Sequence, residues 1–409
     1  MAKVLIVTSN YWPEPTGVAV YTFDLASILS ENGYLVTVLT GIPHYPWWRV
    51  PEQYQDIRNT NESKNGIQVQ RVRHYIPSRV NTITRIRFEL SLWWHFFRLS
   101  NKQQFKEYDA VISVVPSLAA GVVGLQISKK WDKFFGVVVQ DLTGIGVTQS
   151  GHRGGKLISR VTKTIESSIL FGATSIVTVS PKIKDFILGM GIRRSCVELI
   201  RNYSAREIKP LEKISSRQKF GWSEKDFLVI HSGNMGRKQD LGNVIEAAKN
   251  LRDISEIKIF LVGHGNQEKY VRDLCKQTKN VFLFPAVSHE DYPALLASAD
   301  LLLLNERSTQ MEMSLPSKLT SYLYSNRPIL AAVPKNGASW NFLDGLAELV
   351  ESSNPTLLAN TIKELSHNSA KRKDFASKGL AFAIENLNPE IGRLKYLCWV
   401  ESLIQSNHG

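Results

Sequence analysis

The chain alternates short β-branched apolar runs with amphipathic helical patterns from its first residues, which restricts it to layered α/β folds. Val4–Thr8 has the composition of a buried strand, Ala19–Asn32 carries apolar residues at helical spacing, and Leu35–Thr40 is strand-like again. Gly33 stands where a helix end favours a residue that tolerates positive φ. Because a helical crossover of this length joins parallel strands, these residues predict a βαβ unit.

The alternation continues in two series along the 409 residues, enough chain for two such domains. Further strands are predicted at Gln68–Val72, Ala110–Val115, Gly136–Val139, Ser175–Val179, Val197–Ile200, Phe227–His231, Ile257–Val262, Val281–Phe284, Leu301–Leu304 and Ile329–Ala332. Residues 204–226 are charged and lack a sustained apolar run, so a domain boundary is predicted there. A last helix is predicted at Pro389–Gln405.

Ala110–Ser128 contains no charged residue and approaches the length of a transmembrane helix. Pro116 divides it, and Ser117 is a good helix N-cap. A buried strand followed by a helix is therefore predicted instead of a membrane span.

The cysteine pattern and the first residues of the chain predict a cytoplasmic location. Cys196, Cys275 and Cys398 are isolated, so neither a disulfide framework nor a zinc site is predicted. The apolar run Val4–Val7 is too short for the core of a signal peptide.

The positive charge lies mainly in the first half. Residues 1–205 hold 24 basic and 14 acidic side chains, which is +10 of the total +13. Residues 74–106 interleave arginines with aromatic residues at helical spacing. Two interpretations remain open, a buried helix with a basic exposed face and a helix that binds an anionic inner-membrane surface. The positive charge of the first half favours the interpretation as a membrane-binding helix. No nucleic-acid partner is predicted.

Glycines and cations follow the predicted strand Phe227–His231. Gly233, Asn234, Arg237 and Lys238 combine close backbone approach with positive charge, which suits a diphosphate. The alternative is an ordinary βα turn with solvated cations.

Two later strand ends are also candidates. Gly263-His264-Gly265 begins like a dinucleotide fingerprint, but Glu268 replaces the third glycine, so NAD and flavin are not predicted. Leu315-Pro316-Ser317-Lys318, with Glu312 just before it, predicts a helix start that holds phosphate or sugar hydroxyls, or a plain helix start.

In the first half, the loop that contains Thr16 and Gly17 is a candidate lip of a cleft. Asp141 follows the strand Gly136–Val139, a position typical of catalytic groups, although such an aspartate is more often a cap or turn residue. Hydrolase, P-loop and metal-ligand spacings are missing.

The order of these segments resembles glycosyltransferase family 4, more narrowly its colanic-acid and exopolysaccharide type, over nearly the whole chain. The resemblance is carried by Val4–Val7 with the loop 12–17, Ile176–Ser180, Val197–Asn202, Ser232–Lys238, Gly263–Gly265, Pro316–Leu319 and Arg327-Pro328.

The resemblance implies a GT-B fold, in which two Rossmann-like, doubly wound parallel-sheet domains face each other across a cleft. It makes residues 1–205, with the returning helix 386–409, an acceptor domain, and residues 206–385 a donor domain. It implies retaining, metal-independent transfer from a UDP- or GDP-sugar to a lipid-linked or polysaccharide-precursor acceptor, with no tightly bound cofactor.

The resemblance also implies a set of site residues. Asp141, Arg237, Lys238 and Glu312 would be catalytic; Thr16, Gly17, Gly233, Asn234, Gly263, His264, Phe284, Leu315, Pro316, Ser317, Lys318 and Ser321 would bind the donor. The chain departs from the family at two points. Ser321 stands in place of the second of two glutamates, and Asn234 stands in place of an arginine, with Arg237 displaced.

The expected protein is a cytoplasmic enzyme bound peripherally to the inner face of the membrane. A sugar-nucleotide epimerase of the same architecture and a non-catalytic module that binds a nucleotide sugar or anionic lipid are the alternatives. Acceptor-dependent release of the nucleotide distinguishes transfer from both.

Overall fold

The computed structural model describes residues 1–15, 17–57, 59–142, 155–203, 209–288, 290–308 and 315–405. The chain forms two compact units, one made of Met1–Ala205 with Glu390–Gly409 and the other of Arg206–Pro389. The second unit thus ends four residues later than the predicted donor domain.

The first unit is built on an eight-stranded sheet in the order β3-β4-β2-β1-β5-β6-β7-β8, parallel except for β3. Its strands are β1 Lys3–Val7, β2 Leu35–Gly41, β3 Asn59–Lys64, β4 Ile67–Val72, β5 Ala110–Val115, β6 Phe134–Val139, β7 Ser175–Thr178 and β8 Val197–Leu199. The helices described here are α1 Val18–Glu31, α2 Thr82–Ser100, α3 Leu118–Trp131, α4 Gly155–Phe171 and α5 Pro181–Gly189.

The second unit has a fully parallel six-stranded sheet in the order β11-β10-β9-β12-β13-β14. Its strands are β9 Phe227–Ser232, β10 Ile257–Val262, β11 Val281–Phe284, β12 Leu301–Asn305, β13 Ile329–Val333 and β14 Glu348–Glu351. The helices are α6 Lys213–Phe220, α7 Leu241–Lys249, α8 Glu268–Cys275, α9 Tyr292–Ala297, α10 Lys318–Tyr324, α11 Ala338–Leu343, α12 Pro355–His367 and α13 Ser369–Asn386.

In each sheet the strand order reverses at a central strand. β10 lies on one side of β9 and β12 lies on the other side, and β2 and β5 flank β1 in the same way. In such sheets, ligands bind outside the carboxyl ends of the strands at this switch point.

The last helix, α14 Pro389–Gln405, packs on the first unit. Trp399 is buried in that unit's core, and its indole Nε1 donates to the Ser175 hydroxyl at 2.8 Å. Gly136 makes room for the helix, because a Cβ there would lie 2.8 Å from both Trp399 and Leu403.

The twelve predicted strands are present, with ends that differ by at most two residues. The uncharged stretch divides at Pro116 as predicted, since Ser117 Oγ accepts from the Ala120 amide at the start of α3. β3 and β14 are additional strands. β3, with the sequence Asn-Thr-Asn-Glu-Ser-Lys, is an antiparallel edge strand without the apolar run used for prediction.

Candidate functional site

Two glycine turns form the floor of the candidate site, at the carboxyl ends of β9 and β10. Gly233 and Gly263 have φ of +123° and +140°, a region that favours glycine. A Cβ on Gly263 would lie 1.9 Å from the Gly233 carbonyl oxygen, so the two turns pack backbone against backbone. Hydrogen bonds from the Gly233 amide to the Val262 carbonyl and from the Gly263 amide to the Phe284 carbonyl, at 2.9 and 3.1 Å, hold them in place.

Lys318, the first residue of α10, extends over the Gly233 turn. Its Nζ would lie 3.4 Å from a Cβ on Gly233 and is 3.3 Å from His231 Nε2. His231 is fully buried, and its Nδ1 lies 3.2 Å from the Leu303 carbonyl oxygen. Burial lowers the pKa of His231 well below its ordinary value, so the ring is neutral. Nδ1 therefore donates to Leu303, and Nε2 accepts from Lys318.

The charge on Lys318 is weakly compensated. Burial lowers the pKa of its ammonium to about 7, against the opposing effect of the Glu306 carboxylate. Burial also raises the pKa of Glu306, whose Oε1 accepts from Ser339 Oγ at 2.8 Å. The positive charge of Lys238 acts on the Glu306 carboxylate and opposes this rise in its pKa. Two lysines and one half-buried carboxylate therefore share this end of β12, and an anion is favoured there.

Hydroxyl groups surround Ser232, the residue before Gly233. The Ser232 amide donates to Tyr322 Oη at 2.9 Å, and Ser232 Oγ lies 3.2 Å from Tyr292 Oη. Ser321, half-buried, hydrogen-bonds to Tyr292. The position at which the family has a glutamate thus belongs to a neutral hydroxyl network.

Arg237 and Lys238 begin one short 3-10 turn, Arg237–Gln239. The charge of Lys238 acts on the Glu306 carboxylate, and Arg237 lines a cavity with Arg307. The turn is fixed to β12, because Asn305 Nδ2 donates to the Gln239 and Asp240 carbonyls at 2.8 and 3.0 Å. The structure therefore places both predicted cations on one turn at the end of β12.

The other predicted donor residues of the second unit surround these turns. Asn234 is exposed beside Gly233, and the His264 carbonyl accepts from the Met235 amide at 2.7 Å. Ser317 precedes α10 without a side-chain capping bond, and Leu315 and Pro316 lead into it.

Phe284, which was predicted to bind the donor, is the last residue of β11. Its ring packs at the edge of an aromatic cluster with Trp222 and Phe220, at centroid distances of 5.6 and 6.2 Å. Its contribution to the described site is the backbone carbonyl that holds Gly263. Thr16 and Glu312 lie outside the described residues.

In the first unit, Gly17 is the N-cap of α1 with φ +68°, and a Cβ there would lie 3.4 Å from the Tyr45 ring. The buried Glu14 carboxylate fixes this loop by accepting from the His44 and Tyr45 amides, both at 2.8 Å. Asp141 follows β6, half-buried, and its Oδ1 accepts from the Leu142 amide at 2.8 Å.

His231 and Glu306 were not predicted as site residues. Both are polar residues at the carboxyl ends of parallel strands, His231 within the predicted strand and Glu306 directly after β12. Their position at the ends of parallel strands is the sequence feature from which they could have been predicted.

The predicted membrane segment forms α2, which has two distinct faces. Phe88, Leu92 and Phe96 are buried, whereas Ile83, Leu90 and Trp94 are 70%, 58% and 50% exposed. The helix therefore has one buried apolar face and one exposed face that carries apolar side chains. None of the helices described is long and apolar enough to cross a membrane.

Glu89 is the only acidic residue between 79 and 98, and it faces α3. It accepts from the Ala119 amide and Ser117 Oγ at 2.9 and 3.1 Å. Arg79, Arg85, Arg87 and Arg98 are exposed, so the outer surface of this segment is apolar and cationic.

Two family models of glycosyl transferases match this chain, one in each unit. The family model of glycosyl transferases group 1 matches residues 212–381, and that of the glycosyl transferase 4-like domain matches residues 16–203. WcaI of Escherichia coli K12, whose name assigns it to colanic acid biosynthesis as a glycosyl transferase, is 30% identical over 397 residues, which cover 91% of this chain and 95% of WcaI.

Two solved structures share the fold. Sucrose-phosphate synthase from Thermosynechococcus elongatus has a TM-score of 0.76 at 14% identity and covers 100% of both chains. Anabaena HepE in complex with UDP has a TM-score of 0.70 at 16% identity, over 98% of this chain and 100% of HepE.

Proposed function

The chain belongs to glycosyltransferase family 4 and has the GT-B fold, and on that premise we propose that it is a retaining, metal-independent enzyme of cell-surface glycan biosynthesis. It transfers a sugar from a UDP- or GDP-sugar to a lipid-linked or polysaccharide-precursor acceptor. The second unit serves as the donor domain and the first as the acceptor domain.

The position of Lys318 carries this proposal. A half-buried ammonium at the switch point of the sheet, above a glycine turn, suits the diphosphate of a nucleotide sugar. Lys238 acts through its charge on the same carboxylate, Glu306. HepE, which shares the fold, was solved with UDP, and this supports testing UDP first.

The chemistry follows from where charge develops. When the bond between the sugar and the diphosphate breaks, negative charge grows on the leaving phosphate oxygen. Lys318 and Lys238 stabilise that charge, and the backbone at Gly233 allows the phosphate to approach closely. His231 holds the Lys318 ammonium in place by accepting its hydrogen bond. Asp141, which follows β6, is proposed to serve the acceptor and the transferred sugar, and Gly17, at the start of α1, is proposed to serve the donor.

The test of this function is turnover with purified protein. We expect UDP or GDP to be released from its sugar only when a lipid-linked sugar diphosphate is added, with a glycosylated lipid as the product. Mass spectrometry measures both expected products, the released nucleotide and the glycosylated lipid. An epimerised nucleotide sugar formed without acceptor would contradict transfer and support an epimerase, whereas binding without any product would support a non-catalytic module.

We also propose that the outer face of α2 binds the anionic membrane surface that presents the acceptor. Its exposed aliphatic and indole groups can enter the interface, while the arginines beside them meet lipid phosphates.

Replacing Leu90 and Trp94 together by glutamate is expected to weaken binding to phosphatidylglycerol vesicles by at least about tenfold, because apolar burial is lost and repulsion is added. Co-sedimentation with vesicles measures this. Ile384→Glu is the matched control, since Ile384 is 55% exposed on α13 of the other unit. Equal vesicle binding by the Leu90/Trp94 variant and the control would show that α2 does not contact lipid.

A further inference from the structure

The amino-terminal half of α4 carries a second exposed apolar surface of the first unit. Leu157 and Val161 are 68% and 51% exposed, and Arg160 between them is exposed as well. Because residues three and four positions apart are neighbours on a helix, these three side chains lie on one side of α4. This surface therefore combines apolar groups with a cation, as the outer face of α2 does.

The charges that accompany this surface are positive. The sequence of residues 142–165 contains no acidic residue, and Lys163 adds a second exposed cation beside Arg160. The next carboxylate along the chain, that of Glu166, comes more than one helical turn after Val161. An anionic partner is therefore favoured over a neutral or cationic one.

α2 and α4 lie on either side of α3. The Glu89 carboxylate of α2 accepts from the Ala119 amide of α3 at 2.9 Å. A Cβ on Gly121 of α3 would lie 2.5 Å from Ile169 Cδ1 of α4. Because the chain crosses the sheet in one direction from β4 through β5 and β6 to β7, the three helices follow each other in the order α2, α3, α4.

The opposite face of the sheet carries α14. A Cβ on Gly124 of α3 would lie 3.0 Å from the Phe135 ring, whereas a Cβ on Gly136, the next residue of β6, would lie 2.8 Å from Trp399 of α14. Successive residues of a strand point to opposite faces of the sheet. The exposed surfaces of α2 and α4 therefore belong to the face that α3 covers, and α14 lies on the other face.

α4 extends beyond the start of α3. The two helices run in the same direction, because each joins neighbouring parallel strands of one sheet. At about 1.5 Å per residue, Val161 and Leu157 lie about 12 and 18 Å before Ile169 along the helix axis. α3 begins only about 4.5 Å before Gly121, the residue that Ile169 contacts. Both apolar side chains thus lie about 7–14 Å beyond the start of α3.

α2 projects past the same edge of the sheet. Glu89 is level with the start of α3, because it also accepts from Oγ of Ser117, the N-cap of that helix, at 3.1 Å. Ile83 precedes Glu89 by about 9 Å along the axis and is 70% exposed. Exposed apolar side chains of both helices therefore lie beside the carboxyl ends of the strands, where ligands bind in such sheets.

We propose that the amino-terminal half of α4 is a second membrane-binding element, so that the first unit contacts an anionic bilayer through α2 and α4 together. Leu157 and Val161 enter the interface, and Arg160 and Lys163 meet lipid phosphates. This inference rests on the proposed function, in which a membrane surface presents the acceptor. It places the bilayer beside the edge of the sheet where Asp141 follows β6, so that a lipid-linked acceptor reaches this edge without leaving the membrane.

The test combines Leu157→Glu with Val161→Glu in the full chain and measures co-sedimentation with phosphatidylglycerol vesicles. Binding is expected to be at least about tenfold weaker than that of the wild type, because apolar burial is lost and repulsion is added. The matched control combines Ile391→Glu with Leu394→Glu, since these residues of α14 are 46% and 60% exposed in the same unit. The control carries the same added charge on the opposite face of the sheet and should bind within about threefold of wild type.

A second variant removes charge only. Arg160→Gln combined with Lys163→Gln should weaken vesicle binding by at least about fivefold and reduce its dependence on salt. Both side chains are exposed, so this variant tests the surface even if the glutamate variant does not fold.

Vesicle binding by the Leu157/Val161 variant equal to that of its control would overturn the role of α4, and so would wild-type affinity and salt dependence in the Arg160/Lys163 variant. If the Leu90/Trp94 variant is nevertheless weakened, α2 alone contacts lipid and the proposed membrane association stands; if it is not weakened, both proposals fail. A wild-type dimer in analytical ultracentrifugation that becomes a monomer in the Leu157/Val161 variant, with unchanged vesicle binding, would assign the surface to a second copy of the chain and overturn the proposal.

Discussion

Lys318→Met is expected to lower the turnover of the nucleotide sugar by about 10²–10³-fold, the effect of removing one well-placed group that stabilises charge in a transition state. Methionine keeps most of the volume of the lysine stem and removes the ammonium above Gly233. Nucleotide affinity should fall as well, because the diphosphate already carries charge in the ground state. Steady-state kinetics and calorimetry with UDP measure the two effects.

The folding of this variant should be unharmed. The lowered pKa of Lys318 shows that its surroundings disfavour the charge, so an apolar replacement is expected to leave the melting temperature unchanged or higher. Lys238→Met, which removes an exposed ammonium beside the same carboxylate, should cost less than Lys318→Met. Wild-type turnover and affinity in Lys318→Met would refute the role of this residue.

The same residue gives the donor site a pH dependence with a definite sign. With a pKa of about 7, Lys318 is charged below neutral pH and loses its proton above it. The diphosphate binds the charged form, so affinity for a nucleotide sugar should fall by up to about tenfold per pH unit above 7. Binding should take up protons, and the uptake should be larger at pH 8 than at pH 7, measured by calorimetry in buffers of different ionisation enthalpy. Lys318→Met should lose this uptake.

The strands were predictable from the sequence because strands of parallel sheets are buried on both faces and appear as continuous apolar runs. β5 Ala110–Val115 and β10 Ile257–Val262 match their predicted bounds for this reason. β3 carries polar residues at an antiparallel edge, and its pairing with β4 depends on a partner that local composition does not reveal.

The site was only partly predictable, because its contacts join residues that are distant in sequence. Lys318 was identified from its helix start, but its neighbours His231 and Glu306 meet it only through the order of β9 and β12 in the sheet. Arg237 and Lys238 were expected to act together because they are adjacent. A 3-10 turn has about three residues per turn, so neighbouring side chains point about 120° apart, and adjacency in sequence does not place two cations on one side of it.

Gly263→Ala is expected to disrupt the donor site without touching any charged group. The added methyl would lie 1.9 Å from the Gly233 carbonyl oxygen, which is backbone and cannot rotate away, and φ of +140° is unfavourable for alanine. We expect the Gly233 turn to move away from Lys318, with at least about a tenfold loss of UDP affinity and a destabilisation of roughly 3 kcal/mol or more. Calorimetry with UDP and thermal unfolding measure these changes.

Gly345→Ala is a matched control that separates the effect of the steric clash at Gly263 from the effect of backbone strain alone. Gly345 lies in the same unit with φ +75°, and a Cβ there would meet nothing within 4 Å, so Gly345→Ala should cost only about 1–2 kcal/mol and leave UDP affinity unchanged. If Gly263→Ala does not fold, Gly233→Ala provides the second measurement, because its Cβ would lie at an ordinary 3.4 Å from Lys318 Nζ and its strain falls on the same turn. Wild-type UDP affinity in a folded Gly263→Ala or Gly233→Ala protein would show that donor binding does not depend on the packing of these two turns. A loss in both, with Gly345→Ala unaffected, would instead show that close backbone contact between the ends of β9 and β10 holds the diphosphate site beneath Lys318.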